Sequence, residues 1–268
     1  RFKHKVVVNL PGVDKPYGDI IRGCLIAPNG YELCGSDMSS LEDRTKQHYM
    51  WKYDPEYVKQ MLSPGFDPHL DIAVESKMLS QDECDKFKKE KNDHPATDFV
   101  KKIKPIRHDA KQVNYSCTYG VTPAGLVRNT GMSIEKATKL HETYWKRNWA
   151  IQAIADDCEV RTSSGIRWLY NPVSGFWYSL RSNKDKFSTL NQGTGVYVFD
   201  TWIKYVRRNG PPMCGQFHDE GIWVIREGLR NKMTKHLESA IDRTNKELDM
   251  NRKFDIDIEF GKSYADIH

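Results

Sequence analysis

Two short acidic clusters, Asp37-Met38-Ser39-Ser40-Leu41-Glu42 and His218-Asp219-Glu220, flank a run at 107–120 that mixes cations with aromatic rings. Carboxylates held close together repel one another, and hard divalent ions that prefer oxygen ligands neutralise that repulsion. Two such ions roughly 3.5–4 Å apart can activate an attacking oxygen and steady a leaving one. Acid, then cation and ring, then acid is the order needed to hold two metal ions and a nucleoside triphosphate at once.

On a helix, Arg107, Lys111, Tyr115 and Tyr119 advance four positions at a time and drift slowly around one face. Arg offers phosphate a planar fork and Lys a compact point charge, while the two rings offer flat surfaces for a sugar and base. A core-facing stripe would be aliphatic, and a merely solvated one would not align tyrosines with cations. Pro105 in the first turn and Gly120 at the exit frame this helix as 106–119.

Other elements must carry these residues. Lys5-Val6-Val7-Val8 and Tyr31-Glu32-Leu33-Cys34-Gly35-Ser36 read as strands, the second ending at Asp37, where a side chain can leave a sheet for a cleft. The β-prone flanks of His218-Asp219-Glu220 make it the tight bend of a hairpin. Helices are expected over 41–52, from about Pro68, over 81–91 behind a Ser80/Glu83 capping box, from Thr122-Pro123, from Ser133 to about Cys158, and over 186–208. Small hairpins are expected between Glu159 and Leu180. Near the end, Phe254, Ile256, Ile258 and Phe260 alternate with Asp255, Asp257 and Glu259, so the acids read as the wet side of a strand. Strands from both ends around a helical middle predict an α+β fold: an antiparallel sheet with an inserted, mostly helical lobe.

The chain has 268 residues, 38% hydrophobic and 29% charged, enough for a substantial core; its formal charge of +5 permits a polyanionic partner without requiring one. Six scattered cysteines with no C-x-x-C pair argue against a zinc site or a disulfide framework and favour a reducing compartment. No apolar run is long enough to span a membrane, so no membrane partner is expected.

Asp37-x-Ser39-x-x-Glu42-x-Arg44, Arg107-x-x-x-Lys111-x-x-x-Tyr115-x-x-x-Tyr119-Gly120 and Gln216-x-His218-Asp219-Glu220, in this order, resemble the three polymerase motifs of family A DNA polymerases, the family of bacterial DNA polymerase I and its phage relatives. Ile21-Arg22, Ile26-Ala27-Pro28, Gln192-Gly193-Thr194 and the closing 261–268 resemble further landmarks, so the likeness covers most of the chain. It implies a right-hand polymerase with residues 1–45 as the first part of a palm, 46–185 as fingers and 186–268 as the second part of the palm. The implied activity is template-directed DNA synthesis, as a DNA-directed DNA polymerase. Asp37, Asp219 and the Met38 carbonyl would hold two magnesium ions, with manganese as a substitute. Glu42, His69, Arg107, Lys111, Tyr115 and Tyr119 would meet the incoming dNTP. Lys111 would also protonate the leaving group, and Glu42 would crowd a ribose 2′-hydroxyl. Arg44, Gln192, Gln216 and His218 would lie against primer-template DNA, and Glu220 would be an accessory acid.

Met38 stands where the family has an aromatic and Asp43 where it has an apolar residue; neither touches a metal carboxylate. Tyr115 replaces a common Phe, which by the same likeness weakens rejection of dideoxynucleotides. The family's thumb and exonuclease domain precede the region matched here, and the chain opens on Arg1. The expectation is therefore a trimmed or split polymerase, with those parts on a missing segment or a separate polypeptide. A phage source and the cytoplasm of a bacterial host are expected with it. The competing readings are a single-subunit RNA polymerase-like enzyme and a catalytically weak DNA-binding subunit.

Overall fold

The structure, a computed structural model, describes residues 10–95 and 97–267; the expected strand at Lys5-Val6-Val7-Val8 lies outside them. Along the chain, α1 (Gly18–Gly23) precedes β1 (Tyr31–Met38) and α2 (Leu41–Met50). Then come α3 (Pro55–Met61), α4 (Pro68–Glu75), α5 (Gln81–Asp93), α6 (Asp98–Thr118), α7 (Pro123–Thr130), α8 (Ile134–Arg147) and α9 (Trp149–Asp157). Strands β2 (Val160–Ser163), β3 (Ile166–Tyr170) and β4 (Trp177–Leu180) lead to α10 (Lys186–Asn209). The chain closes with β5 (Met213–Phe217), β6 (Glu220–Arg226), α11 (Arg230–Leu248) and β7 (Ile256–Gly261). No helix among the described residues is long and apolar enough to cross a membrane.

The chain divides into two compact units, Arg1–Lys46 with Gln192–His268, and Gln47–Asn191. The first holds a four-stranded antiparallel sheet in the order β5-β6-β1-β7, so strands from both ends of the chain do share one sheet. Alternation sends Cys34, Met38, Trp223 and Ile225 to one face, where they pack with Val198, Phe199, Trp202 and Val206 of α10 and Leu237 and Ile241 of α11. Trp202 and Trp223 meet edge to face at 5.8 Å, and the Trp202 indole N–H donates to the Leu237 carbonyl. The opposite face carries a smaller cluster of Leu33, Ile222, Tyr264 and Ile267. With both faces covered, Asp37 is the one exposed residue of β1.

The second unit is mainly helical, with the three-stranded antiparallel sheet β2-β3-β4. Its core is centred on Leu70 and Ile72 of α4, Leu126 of α7, Leu140 and Tyr144 of α8, and the α6 stripe Val100, Ile103, Ala110, Val113 and Cys117. That 3-and-4 spacing anchors α6 against α4 and α8 along its length.

Two sequence expectations are corrected, and two helices were not anticipated. Helix α6 begins at Asp98, capped by the Thr97 hydroxyl on the Val100 amide, so Pro105 lies inside the helix rather than in its first turn. Proline removes the bond to the carbonyl four residues back; here Lys101 is exposed, and water can satisfy it. The helix expected from Ser133 to Cys158 is two, broken at Asn148. The buried Asn148 amide donates to the Tyr144 carbonyl, a side-chain competitor for helical bonding. Helix α11 was not foreseen, because its buried positions, Met233, Leu237, Ala240, Ile241 and Thr244, are spaced through a strongly charged run. Helix α1, ahead of β1, was not foreseen either.

Candidate functional site

In the sheet unit, β5 and β6 pair through Phe217↔Glu220, leaving His218 and Asp219 as a two-residue hairpin turn. His218 takes φ 53, a left-handed conformation that matches the twist such short turns require. The turn is tied to β1: Asp37 pairs with Glu220 in the β1–β6 register, and the Met38 amide donates to the Asp219 carbonyl at 3.2 Å. The two aspartates that the sequence keeps far apart are thereby side by side, close enough for Asp37 to act on the Asp219 carboxyl. Both line one cavity of about 470 Å³ on the sheet face opposite α10 and α11.

Burial holds the Asp219 carboxyl above the usual carboxylate range; the charge of Glu42 adds to this, while its own backbone, His218 and Asp37 oppose it. A second cavity of about 450 Å³ shares His218 and Asp219 and is walled by Leu41, Glu42, Gln192, Gly195, Phe199 and Gln216. Glu42, Gln192, Gln216 and His218 thus gather around Asp219. Arg44 lines neither cavity: its guanidinium donates to the backbone carbonyls of Ser39 and Lys253.

Glu220 is buried at 5% exposure, and its Oε2 accepts a 3.0 Å bond from the Tyr264 hydroxyl. The Tyr264 ring stacks on Phe217 at 5.0 Å and receives the Arg22 guanidinium at 4.7 Å. Gly35 leaves room here: a Cβ would come within 2.8 Å of the Ile267 side chain and 3.1 Å of the Glu220 carboxylate, and both would have to shift. Sequence reading missed Arg22 and Tyr264 as members of this wall, and Asp257 and Glu259 as well. The alternation of β7 had marked its acids as wet, which holds; Asp257, however, pairs directly with Asp37 across β1–β7, so its wet side is the cavity. Its carboxylate accepts from the Ser39 hydroxyl at 2.8 Å.

Among the described residues no group of three or more His, Cys, Asp or Glu side chains forms a closed metal cage. What the cavity offers is Asp37, exposed, beside the half-buried Asp219, with Asp257 and Glu259 on the same wall. That donor set suits a hard ion that keeps several waters and completes its shell with substrate oxygens.

In the helical unit, the face of α6 carries Arg107, Lys111, Tyr115 and Tyr119. The 100° step per residue moves this series from the edge of the buried stripe to its far side. Arg107 and Lys111 are accordingly half-buried, while Tyr115 and Tyr119 are 56% and 42% exposed. Arg107 Nε donates to Asp67 Oδ2 at 2.7 Å, and Asp67 caps α4 through the amides of His69 and Leu70. The cap sets His69 beside α6, where its ring lies 5.7 Å from that of Tyr115. Asn114 fixes the pair of helices by donating to the Pro68 carbonyl and meeting His69 Nδ1 at 3.2 Å. Lys111 Nζ sits 5.7 Å from the Tyr115 centroid. His69, Arg107, Lys111 and Tyr115 therefore form one cationic and aromatic patch. Tyr119 closes the helix, and Gly120 leaves it at φ 70.

No protein-family model and no curated protein matches the chain. Among solved structures, it is similar to the POL domain of Pol1 from M. smegmatis, determined in complex with DNA primer-template and dNTP. The TM-score is 0.68 at 17% identity, over 97% of this chain and 45% of that one. The chain thus spans less than half the length of the solved chain it matches. At this identity the likeness speaks for architecture: the fold is that of a DNA polymerase I-like polymerase domain.

Proposed function

We propose that this chain performs template-directed DNA synthesis by nucleotidyl transfer, as the palm and fingers of a DNA polymerase I-like, family A enzyme. The observation that carries the reading is the side-by-side placement of Asp37 and Asp219 on one cavity wall within that fold. In this reading the sheet unit is the palm and the helical unit the fingers, and a thumb and exonuclease belong to a separate polypeptide or segment. The phage source and the host cytoplasm remain part of the same proposal.

Asp37 and Asp219, with the Met38 carbonyl, would hold two magnesium ions. When bound, these ions lower the pKa of a primer 3′-hydroxyl and neutralise the triphosphate. The 3′-oxygen attacks the α-phosphorus of a dNTP in line, a new P–O bond forms, and the bond to pyrophosphate breaks. Arg107, Lys111 and His69 bind the triphosphate, and Lys111 Nζ gives its proton to the departing pyrophosphate oxygen. The Tyr115 ring supports the sugar, and Tyr119 shapes the space for the templated pair. Glu42 crowds a 2′-hydroxyl, which favours deoxy substrates over those of an RNA polymerase. Gln192, Gln216 and His218 face the primer-template, and Arg44 secures the segment behind Asp37. Glu220, bonded to Tyr264, acts as a positioning acid beneath the turn.

Asp37→Ala and Asp219→Ala should each abolish primer extension while leaving primer-template affinity within a few-fold of wild type. Robust extension by either variant refutes the assignment. Offering ribonucleotides against deoxyribonucleotides separates this reading from an RNA polymerase-like one.

A further inference from the structure

The sheet β2-β3-β4 has two unlike faces. Leu169 and Leu180 are buried in the core of the helical unit. By alternation and register, Ile166, Trp168 and Tyr170 of β3 share the other face with Arg161 of β2 and Trp177 of β4. None of these side chains belongs to the apolar core among the described residues. Ile166 and the neighbouring Phe176 are 48% and 57% exposed.

Two of the rings on this face and its cation touch. Tyr170 and Trp177 lie 5.1 Å apart, and the Arg161 guanidinium sits 4.8 Å from the Trp177 centroid while pairing with Glu159 at 2.7 Å. The segment 159–186 carries Arg161, Arg167, Arg181, Lys184 and Lys186 against only Glu159 and Asp185; Arg161 is on the ring face, while Arg167, paired with Leu180, is on the other. Arg167 is held in place by the Asn183 side chain and the Arg181 carbonyl.

Trp168, Tyr170 and Trp177 are half-buried, so each keeps part of its ring open to solvent on this face, where a ligand can reach it. Aromatic side chains beside cations offer stacking surfaces that accept any base and charge that meets the backbone. Rungs two residues apart on a strand are about 6.8 Å apart. That is twice the ~3.4 Å rise per nucleotide of stacked DNA, leaving room for a protein ring between successive bases.

We propose that this face binds single-stranded nucleic acid, its bases stacking on Trp168, Tyr170 and Trp177 and its phosphate met by Arg161. This goes beyond the reaction proposed above and needs neither metal nor dNTP. The excess of cations favours a polyanion over a protein partner as occupant.

The test is fluorescence anisotropy of labelled oligo(dT) with the full chain, in chelator and without dNTP. Trp168→Ala and Trp177→Ala should each weaken binding about tenfold, and Trp177→Phe should keep most of the affinity. Arg161→Gln should flatten the log-log salt dependence by about 0.7, whereas Trp177→Ala should leave that slope unchanged. Primer-template with an unpaired overhang should bind tighter than blunt duplex, and the Trp variants should lose that preference. Equal oligo(dT) affinity for wild type and a Trp168→Ala/Trp177→Ala double variant overturns the proposal. So does self-association of wild type that the double variant loses while keeping its oligo(dT) affinity, which would make the face a protein interface. A chain that binds oligo(dT) through these rings but extends no primer refutes the catalytic reading alone. Extension together with unaltered oligo(dT) binding in the double variant does the reverse.

Discussion

Asp219→Asn separates what the carboxylate pair costs the fold from what it contributes to chemistry. The replacement keeps the shape of the side chain and removes one charge beside Asp37 and near Glu42. Two unit charges ~4 Å apart interact by ~1 kcal/mol in water and ~4 kcal/mol at an effective permittivity of 20. The repulsion removed is that between Asp219 and the exposed Glu42, which solvent screens toward the lower value; with the burial of the Asp219 charge also relieved, this predicts a gain of about 1–2 kcal/mol in metal-free buffer. For a chain of this size that is a rise of about 2–8 °C in Tm. The pH dependence has a definite sign. Burial foremost, then the Glu42 charge, holds the folded-state Asp219 carboxyl above its unfolded value. The stability it contributes is present below ~3.9 and is lost as pH rises through the raised folded value. Wild type should therefore weaken across that window and Asp219→Asn should not. Magnesium should reverse the ranking, since a ligand at 100 times its Kd stabilises the folded state by ~2.7 kcal/mol, and only wild type keeps both carboxylates. Calorimetric melts at several pH values, with and without magnesium, read all three effects alongside primer extension. A variant that melts below wild type without metal, or gains as much from magnesium, would refute the reasoning.

Tyr264→Phe leaves the buried Glu220 Oε2 without its hydroxyl donor and should cost about 1.5–3 kcal/mol, read as a lower urea midpoint; an unchanged midpoint would show that the bond is dispensable. Burial raises the Asp67 carboxyl, but the Arg107 hydrogen bond and the Leu70 and His69 amides outweigh it and hold the group below its ordinary value. Its stabilisation is thus present above ~3.9 and lost as pH falls through the lower folded value. Arg107→Ala, partly screened by solvent, should cost about 1 kcal/mol at pH 7 and raise the apparent KM for dNTP, with both stability curves converging in acid. If the gap between the two curves is independent of pH, the pairing is not the source. Wild type should accept dideoxynucleotides readily and Tyr115→Phe should not; equal chain-termination sensitivity counts against the role given to Tyr115.

Local chemistry was enough for the pieces of the candidate site. The β-prone flanks of His218-Asp219-Glu220 specify a hairpin, though Glu220 belongs to β6 and the turn is His218 and Asp219; the Ser80/Glu83 box and Pro68 specify helix starts, because caps and turns are set by neighbours in the chain. The four-residue stripe on α6 was equally legible, since helix geometry alone puts those side chains on one face. Pro105 was misplaced because whether a helix tolerates proline depends on whether the freed Lys101 carbonyl reaches water, and exposure is a property of the whole unit. Asn148 broke a helix through a bond to Tyr144 that periodicity does not register. Asp257 and Tyr264 joined the cavity because β1 happens to lie between β6 and β7. An alternating pattern distinguishes wet from dry, but only strand order says which wet face is shared, and that order is settled by packing between residues hundreds of positions apart.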